Sequence, residues 1–345
     1  MDLALQPEEE ELVRTYAELL TRESSPERVR AAESLGFDPQ LWSALVGIGV
    51  PAMAVGPEAA DLLQLCLVAE QAGRHLASAP LVESFVIARA LARATEASGP
   101  ALLAACEDGA IATLVLRETA DGRSAPLVPA GAIADIVVSF DGTDLVAVVG
   151  GPPGVATPNL GSQPLADRDL TAGRREVIAT GDDARAVFAT AQAEWKLLTA
   201  ALLVGVAARA LEIGVAYARE REVFDRPIAT FQTVAHRLAD LATAVDGARL
   251  LVHEAAWTAD EGRVRAAELA TMAFCFAAET APSVAGDALH FHGGYGYTLE
   301  YDIQLYYRRA KAYGLVWGGV ERELGALADE LFGPVGAPKV SAYER

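Results

Sequence analysis

Residues 187–220 are apolar on nearly every side of the helix that their pattern predicts. Such a segment must be surrounded by other elements, so it predicts a helix at the centre of a helical domain. Its uninterrupted apolar run, 197–208, ends at Arg209 and is shorter than the ~20 residues that a bilayer-spanning helix needs. We therefore expect a buried core helix and no membrane span.

The segment that follows carries a regular apolar stripe. Apolar residues recur at alternating steps of three and four from Phe231 to Val252, which is typical of helices that pack along their length. The stripe predicts an antiparallel helix bundle or a contact between subunits. It makes no prediction about catalysis.

The first part of the chain, residues 1–108, also has a helical pattern. Acidic residues after Pro7 precede an amphipathic stretch, and Asp38 followed by Pro39 is a typical helix start, with the aspartate as the N-cap. Further helices are expected over 62–77 and 81–98.

Residues 109–185 differ from both helical parts. Ala112–Leu116 and Arg175–Ala179 are short apolar strands, and Ile136–Phe140 with Leu145–Val149 predicts a β-hairpin whose turn is Asp141-Gly142. We predict a mainly α fold with a small central β domain. The predicted domains are 1–108, 109–185 and 186–345.

Composition excludes several classes of protein. The formal charge of −19 would repel a nucleic-acid backbone over most of the surface. The apolar fraction of 52% suggests apolar surface that is buried between subunits. The N-terminus is acidic where a signal peptide is basic and then apolar, so we expect a cytoplasmic protein. Three widely separated cysteines in apolar surroundings, Cys66, Cys106 and Cys275, are expected to be buried and reduced.

Two motifs follow one another in the C-terminal part. The first runs from Tyr217 to Gln232 and contains Arg221, Phe224 and Phe231. The second runs from His290 to Tyr301 and contains Gly293-Gly294, and Arg308 follows it. Together they resemble the C-terminal domain of FAD-dependent acyl-CoA dehydrogenases. The resemblance is strong over 190–311, fair in the first 100 residues and poor in the β domain.

Simpler interpretations of the same residues exist. Arg221 could pair with Glu222 or Asp225 at the surface, and the glycines could form an ordinary loop. His290 and His292 could be a zinc pair, although no third ligand is near them in the sequence, and we predict no metal site. The occurrence of both motifs in order favours the flavin interpretation.

The resemblance implies an acyl-CoA dehydrogenase fold, with an N-terminal helical domain, a β barrel and a C-terminal four-helix bundle. It also implies FAD, bound chiefly by a neighbouring subunit, and an acyl-CoA thioester substrate. A pyrophosphate requires positive charge, and glycine lets a backbone approach closely. The candidate FAD contacts that the resemblance implies are Arg221, Phe224, Gln232, His290, Gly293 and Gly294. His290 stands where the family has glutamine.

The family's catalytic carboxylate is missing at both of its usual positions. Dehydrogenation needs a base whose pKa is raised by an apolar pocket. Trp195 occupies one position, 26 residues before Arg221, and Trp317 occupies the other in an ungapped count from Arg308. Glu194 should point away from the expected helix face. Glu321 could serve as a base only if its loop is remodelled.

The loop that packs on the flavin ring in this family is also altered. The matching residues, 117–124, keep only Glu118, Gly122 and Ser124. The resemblance is therefore closest to the non-catalytic subunit of heteromeric (α2β2) acyl-CoA dehydrogenases that shorten steroid side chains. In such an assembly a homologous partner carries the glutamate. The alternatives are a self-sufficient homomeric dehydrogenase that uses Glu321, and a cofactor-free helical scaffold.

Overall fold

The computed structural model describes residues 4–119 and 122–333. Helices, then strands, then helices follow one another along the chain, and one apolar core connects them. The predicted fold class, mainly α with a small β region, is confirmed. The strands of the sheet region all fall within the predicted interval 109–185, and the long central helix begins at Gly181 rather than at 186.

Several of the N-terminal helices begin after a residue whose side chain accepts a hydrogen bond from a free backbone N–H group of the first turn. The Asp38 carboxylate accepts hydrogen bonds from the backbone N–H groups of Gln40 (2.9 Å) and Leu41 (3.1 Å), which confirms the predicted cap. The helices are α1 (Pro7–Glu23), α2 (Pro26–Ala31), α3 (Pro39–Gly47), α4 (Leu62–Arg74), α5 (Leu81–Ala92) and α6 (Gly99–Glu107).

The prediction of one helix over 81–98 is wrong. Helix α5 ends at Ala92, and the backbone N–H groups of Thr95 and Glu96 both donate to the carbonyl oxygen of Ile178 at 3.1 Å. Because these groups are bound to the β domain, they cannot continue the helical ladder. The chain turns helical again at Gly99, with Pro100 in the first turn.

The β domain contains a four-stranded and a two-stranded sheet. The predicted hairpin pairs Ile136 with Val149 and Phe140 with Leu145, and Gly142 at its turn has a φ of +95°. The strands are β1 (Ala112–Leu114), β2 (Ser124–Val128), β3 (Ile136–Phe140), β4 (Asp144–Val149), β5 (Ala166–Asp169) and β6 (Arg174–Thr180). Strand order is β1-β3-β4-β6 in the larger sheet, and β2 pairs with β5 in the smaller one.

The C-terminal part is a bundle around one long helix, as its apolar pattern predicts. The stripe on the next helix is buried at Leu241, Val245, Ala248 and Val252 and partly exposed nearer its N-terminus. The elements are α7 (Gly181–Glu220), β7 (Glu222–Val223), β8 (Arg226–Pro227), α8 (Gln232–Asp260), α9 (Ala266–Phe291), α10 (Ile303–Tyr313) and α11 (Val320–Phe332).

Helix α7 is long and apolar enough to cross a membrane when judged by length and composition alone. However, 72% of its most apolar window is buried inside the protein, as in the core helix of a folded domain. One such helix is weak evidence for a membrane span. The three cysteines are buried and free, as expected.

Helices α4 and α7 cross with their backbones in contact at two glycines. A Cβ atom on Gly73 would lie 1.9 Å from the carbonyl oxygen of Leu202, and a Cβ atom on Gly205 would lie 1.9 Å from the carbonyl oxygen of Glu70. No side chain can occupy either position without separating the helices. The contact joins the N-terminal helices to the bundle.

Candidate functional site

The two tryptophans at the family's base positions are in contact. Trp195 lies on α7 and Trp317 lies in the loop before α11, and both are buried. Their ring centroids are 5.5 Å apart in a stacked arrangement, and Phe274 packs against Trp195 at 6.1 Å. The ammonium group of Lys196 lies 4.7 Å from the Trp317 ring centroid. The space between the two base positions is therefore filled by aromatic rings.

Glu194 and Glu321 were the two alternative bases that the sequence offered, and neither is a free, buried carboxylate beside the two tryptophans. Glu194 is buried and accepts hydrogen bonds from Arg89 (2.9 Å) and Arg93 (2.6 Å). Glu321 is exposed in the first turn of α11, so it lacks the desolvation that a base of this kind needs.

A third carboxyl group, which the sequence did not indicate, contacts Trp195. The indole Nε1–H donates to Oε1 of Glu83 on α5 at 3.3 Å. Burial raises the pKa of Glu83, and the bond from Trp195 only partly offsets this. Within the described parts of the chain, no cation forms an ion pair with Glu83. Its acidic side chain in a largely apolar helix was the available signal in the sequence.

Glu83 lines an interdomain cavity of about 40 Å³. Arg309 and Tyr313 of α10 line the same cavity, as does Gln163, whose buried Oε1 atom has no hydrogen-bond partner among the described residues. Arg309 is buried and donates to the carbonyl oxygen of Leu76 (2.6 Å). Ligand pockets generally measure about 300–1,000 Å³. This cavity has room for a few water molecules and is too small for a flavin ring or an acyl chain.

The altered flavin-ring loop contacts the opposite domain directly. The guanidinium of Arg117 donates to the carbonyl oxygen of Trp317, which bridges the β domain and the segment before α11. Thr119 donates from its backbone N–H to the Phe140 carbonyl oxygen at 3.0 Å, whereas residues 120 and 121 of this loop lie outside the described residues. Arg117 and Trp317 thus close the boundary where the family's loop would face the ring.

The first motif forms a tight hairpin at the end of α7. Strands β7 and β8 are joined by Phe224 and Asp225, whose φ angles are +54° and +58°. Positive φ at both central residues is what a two-residue type I′ hairpin turn requires, and a bulky residue such as phenylalanine adopts it at a cost in conformational energy. Phe224 is 84% exposed, and Arg221 is exposed at the hairpin's base, where it forms no ion pair with any described residue.

The two motifs meet at one open groove of about 730 Å³. Phe224 and Phe231 line it from the first motif, and His290 and Phe291 line it from the second. Arg221 lies two residues before Val223 of the groove wall, and Gln232 directly follows Phe231. Of the predicted contacts, Phe224 and His290 therefore lie in one groove, and Arg221 and Gln232 adjoin its lining residues along the chain.

Gly293 and Gly294 follow directly after the groove wall. Gly293 has a φ of +62°, and a Cβ atom on either glycine would meet open space. His292 does not join His290 in a metal cluster, and no group of three potential ligands is present in residues 4–119 and 122–333. Instead, His292 is buried and stacks on Tyr217 with ring centroids 4.0 Å apart.

Known proteins resemble the chain over nearly its whole length. Residues 187–332 match the family model "Acyl-CoA dehydrogenase, C-terminal domain". The acyl-CoA dehydrogenase IpdE2 of Mycolicibacterium smegmatis is 33% identical, over 94% of this chain and 99% of that protein.

Two solved structures of steroid-related or heteromeric proteins are similar as well. The ChsE4–ChsE5 complex from Mycobacterium tuberculosis aligns with a TM-score of 0.84 and 27% identity, over 98% of this chain and 100% of the other. A Tcur3481–Tcur3483 steroid acyl-CoA dehydrogenase variant aligns with a TM-score of 0.83 and 28% identity, over 93% and 97%. The fold, the two motifs and these similarities agree, and the chain belongs to the acyl-CoA dehydrogenase family.

Proposed function

We propose that this chain is the subunit of a heteromeric, FAD-dependent acyl-CoA dehydrogenase that lacks the catalytic base. A homologous partner would carry the glutamate and complete the site. The observation that carries the proposal is the buried stack of Trp195 on Trp317, because it fills both positions from which the family draws its base.

The interior of the chain supports the same conclusion. The cavity beside Glu83 measures about 40 Å³, far less than the roughly 300 Å³ at the lower end of ligand pockets. Arg117 bridges to the Trp317 carbonyl oxygen across the domain boundary. A group could pass between Arg117 and Trp317 only if this bridge opened.

The surface of the chain, by contrast, fits part of a dinucleotide. Arg221 offers a planar donor fork without a carboxylate partner among the described residues, which suits a pyrophosphate. The exposed ring of Phe224 and the groove beside it offer an apolar wall. Arg221, Phe224, Gln232, His290, Gly293 and Gly294 would hold the outer half of FAD bound mainly by the partner. FAD, when bound, would supply the hydride acceptor of the reaction.

The relatives suggest the substrate class. IpdE2 carries the name of an acyl-CoA dehydrogenase, and the Tcur3481–Tcur3483 protein is described as a steroid acyl-CoA dehydrogenase. ChsE4 and ChsE5 form a complex. We therefore propose a heterotetramer that dehydrogenates the CoA thioester of a steroid-derived or related lipid acid in the cytoplasm.

Co-expression with a homologous glutamate-carrying chain tests the proposal. The chain alone should elute colourless from size-exclusion chromatography, and the mixed complex should show flavin absorption. In the complex, Arg221→Ala should weaken FAD retention by about tenfold or more, because a charge-assisted contact is lost. Arg219→Ala, which removes an exposed arginine from the last turn of α7, two residues before Arg221, is the matched control and should retain FAD.

Two results would contradict this assignment. The first is stoichiometric FAD on the chain alone together with flavin reduction by an acyl-CoA. The second is a mixed complex that stays colourless, which would support the cofactor-free scaffold instead.

A second candidate function is a self-sufficient dehydrogenase, which one observation favours. Glu83 has a raised pKa because of burial, and its carboxyl contacts the indole that stands at a base position. These are properties of a general base, whereas the side chain of Glu321 is exposed to solvent. In this candidate Glu83 would take the α-proton of the thioester after Trp195 has moved aside.

Glu83→Gln tests this candidate. It should abolish flavin reduction by acyl-CoA in a single-chain enzyme, whereas it should leave reduction in the heteromer nearly unchanged if the partner supplies the base. The variant should also stay folded. The pKa of Glu83 is raised in the folded state, so protonation of Glu83 stabilises the fold. This contribution to the free energy of unfolding is fully present below the usual carboxyl pKa and is lost as pH rises through the folded-state pKa of Glu83. Neutral glutamine avoids this loss, so urea unfolding above neutral pH should show no destabilisation.

A further inference from the structure

A cavity of about 270 Å³ opens where five helices meet. The start of α4, the end of α5, the first half of α7, the end of α8 and the start of α9 surround it. No described residue of the β domain lines it. It also shares no lining residue with the cavity beside Glu83 or with the groove beside Phe224, so it is a separate site.

The cavity lies on the face of α7 opposite the position of the family's base. Ala193 lines the cavity, and Trp195 follows it by two residues, which is a rotation of about 200° around a helix. Trp195 packs on Trp317 and Phe274 on its own side of α7. The body of α7 therefore separates the cavity from the two tryptophans.

Short apolar side chains form most of the cavity wall. Six alanines, two leucines and Thr190 line it. Helices normally pack without voids larger than a water molecule, but methyl groups do not reach across this junction. The remaining space is close to the ~300 Å³ at which ligand pockets begin. Thr190 and Ala267 are exposed at the rim, so a small molecule can enter without unfolding of the bundle.

The polar part of the wall contains two cations and one carboxylate. Arg89, Arg93 and Glu194 line the cavity together. Glu194 Oε1 accepts hydrogen bonds from Arg89 (2.9 Å) and Arg93 (2.6 Å), and its Oε2 accepts a second one from Arg93 (3.2 Å). Two guanidinium groups thus share a single carboxylate, and one positive charge of the wall is not balanced within it.

Arg89 keeps donors that a ligand can use. Its Nε–H binds Glu194, whereas Nη1 and Nη2 make no hydrogen bond to any residue that the structure describes. Neither Nη atom is among the fully buried atoms that lack a partner, so both reach open space. The bond to Glu194 fixes the guanidinium, and fixed donors lose little conformational entropy when they bind a ligand.

The next carboxylate along this wall is occupied elsewhere. Asp260 at the end of α8 accepts hydrogen bonds from the backbone N–H groups of Leu62 (3.0 Å) and Leu63 (3.4 Å) at the start of α4. Burial raises the pKa of Asp260, and the charge of Arg89 only partly offsets this. Asp260 does not line the cavity, so the free donors of Arg89 face no carboxylate there.

We propose that this cavity binds the anion of a short-chain carboxylic acid, such as hexanoate. The carboxylate would bind the free Nη donors of Arg89, which completes two ion pairs for two guanidinium groups. The alkyl chain would lie against the alanines and leucines, where it leaves water. This site depends neither on the proposed FAD contacts nor on the identity of the base.

Calorimetric titration of the purified full chain with sodium hexanoate tests the proposal. We expect saturable binding of one hexanoate per chain. Hexanamide has the same shape without the charge, and it should bind at least about tenfold more weakly because the charge-assisted bond to Arg89 is lost. Acetate keeps the charge but lacks most of the alkyl chain, and it should also bind more weakly.

Three variants locate the bound anion. Ala193→Leu fills the cavity but leaves the ion pairs intact, so it should abolish saturable binding. Ala239→Leu makes the same change at an exposed position of α8 outside the cavity and should bind hexanoate as the natural chain does. Arg89→Gln should reduce the affinity for hexanoate to that for hexanamide, and Glu194 keeps Arg93 as a partner. Thermal melting checks that each variant is folded.

Three results would overturn the inference. The first is the absence of saturable binding, and the second is equal affinity for hexanoate and hexanamide. The third is unchanged binding in Ala193→Leu, which would place the anion elsewhere in the chain. If Arg89→Gln does not fold, the comparison of the two ligands and the Ala193→Leu variant still decide the question. None of these results changes the expected FAD retention of the mixed complex.

Discussion

Trp195→Ala is expected to lower the free energy of unfolding by about 3–5 kcal/mol, among the largest losses that a single core substitution causes. Trp195 is 2% exposed and packs between the rings of Trp317 and Phe274. Its removal deletes this contact area, leaves a cavity and frees the Glu83 carboxyl from its indole donor. Urea unfolding at a fixed protein concentration measures the change.

Trp257→Ala is the matched control for this prediction. Trp257 lies on α8, is partly exposed and contacts the guanidinium of Arg263 at 4.3 Å. Its replacement should cost less than half as much, since less surface returns to water. Equal losses in the two variants would show that the Trp195–Trp317 stack is not a well-packed core.

Glu194→Ala should destabilise the chain by about 3–5 kcal/mol, because it breaks a largely buried ion-pair cluster from one side. The Glu194 side chain is 5% exposed and receives bonds from Arg89 and Arg93 at 2.9 and 2.6 Å. Without it, two partly buried guanidinium groups would lie together without their shared carboxylate. Thermal and urea unfolding should both show the loss.

Glu220→Ala provides the comparison on the same helix. Glu220 is exposed at the end of α7, so its replacement should change stability by less than about 0.5 kcal/mol. Combining Glu194→Ala with Arg93→Ala should recover part of the loss, since one unpaired cation is removed. If Glu194→Ala were as mild as Glu220→Ala, Glu194 would not be held by the arginines and could serve chemistry.

The sequence correctly predicted the elements that depend on residues close together in the chain. The all-round apolar segment became α7, and Asp141-Gly142 became a hairpin turn because adjacent strands need only a short connection. Strands β2 and β5 were missed. They pair across some 40 residues, and Pro126 within β2 weakens its strand pattern.

Part of the candidate site could also be predicted from the sequence, and part of it could not. Spacing to Arg221 and Arg308 identified Trp195 and Trp317, and the structure brings these two side chains together. Glu83 is 112 residues from Trp195, and Arg117 is 200 residues from Trp317. Such contacts, and the burial that raises the pKa of Glu83, arise only when three separate parts of the chain pack together. No short motif carries that information.

The glycine crossing of α4 and α7 limits how this protein can move. The carbonyl oxygens of Glu70 and Leu202 contact the glycines of the facing helix directly, so no layer of side chains separates the two backbones at this crossing. Domain closure of the shear type requires such a layer of adjustable side chains. The N-terminal helices and the bundle should therefore behave as one rigid body. Any rearrangement that admits a partner's cofactor would then be a hinge-like tilt of the β domain alone.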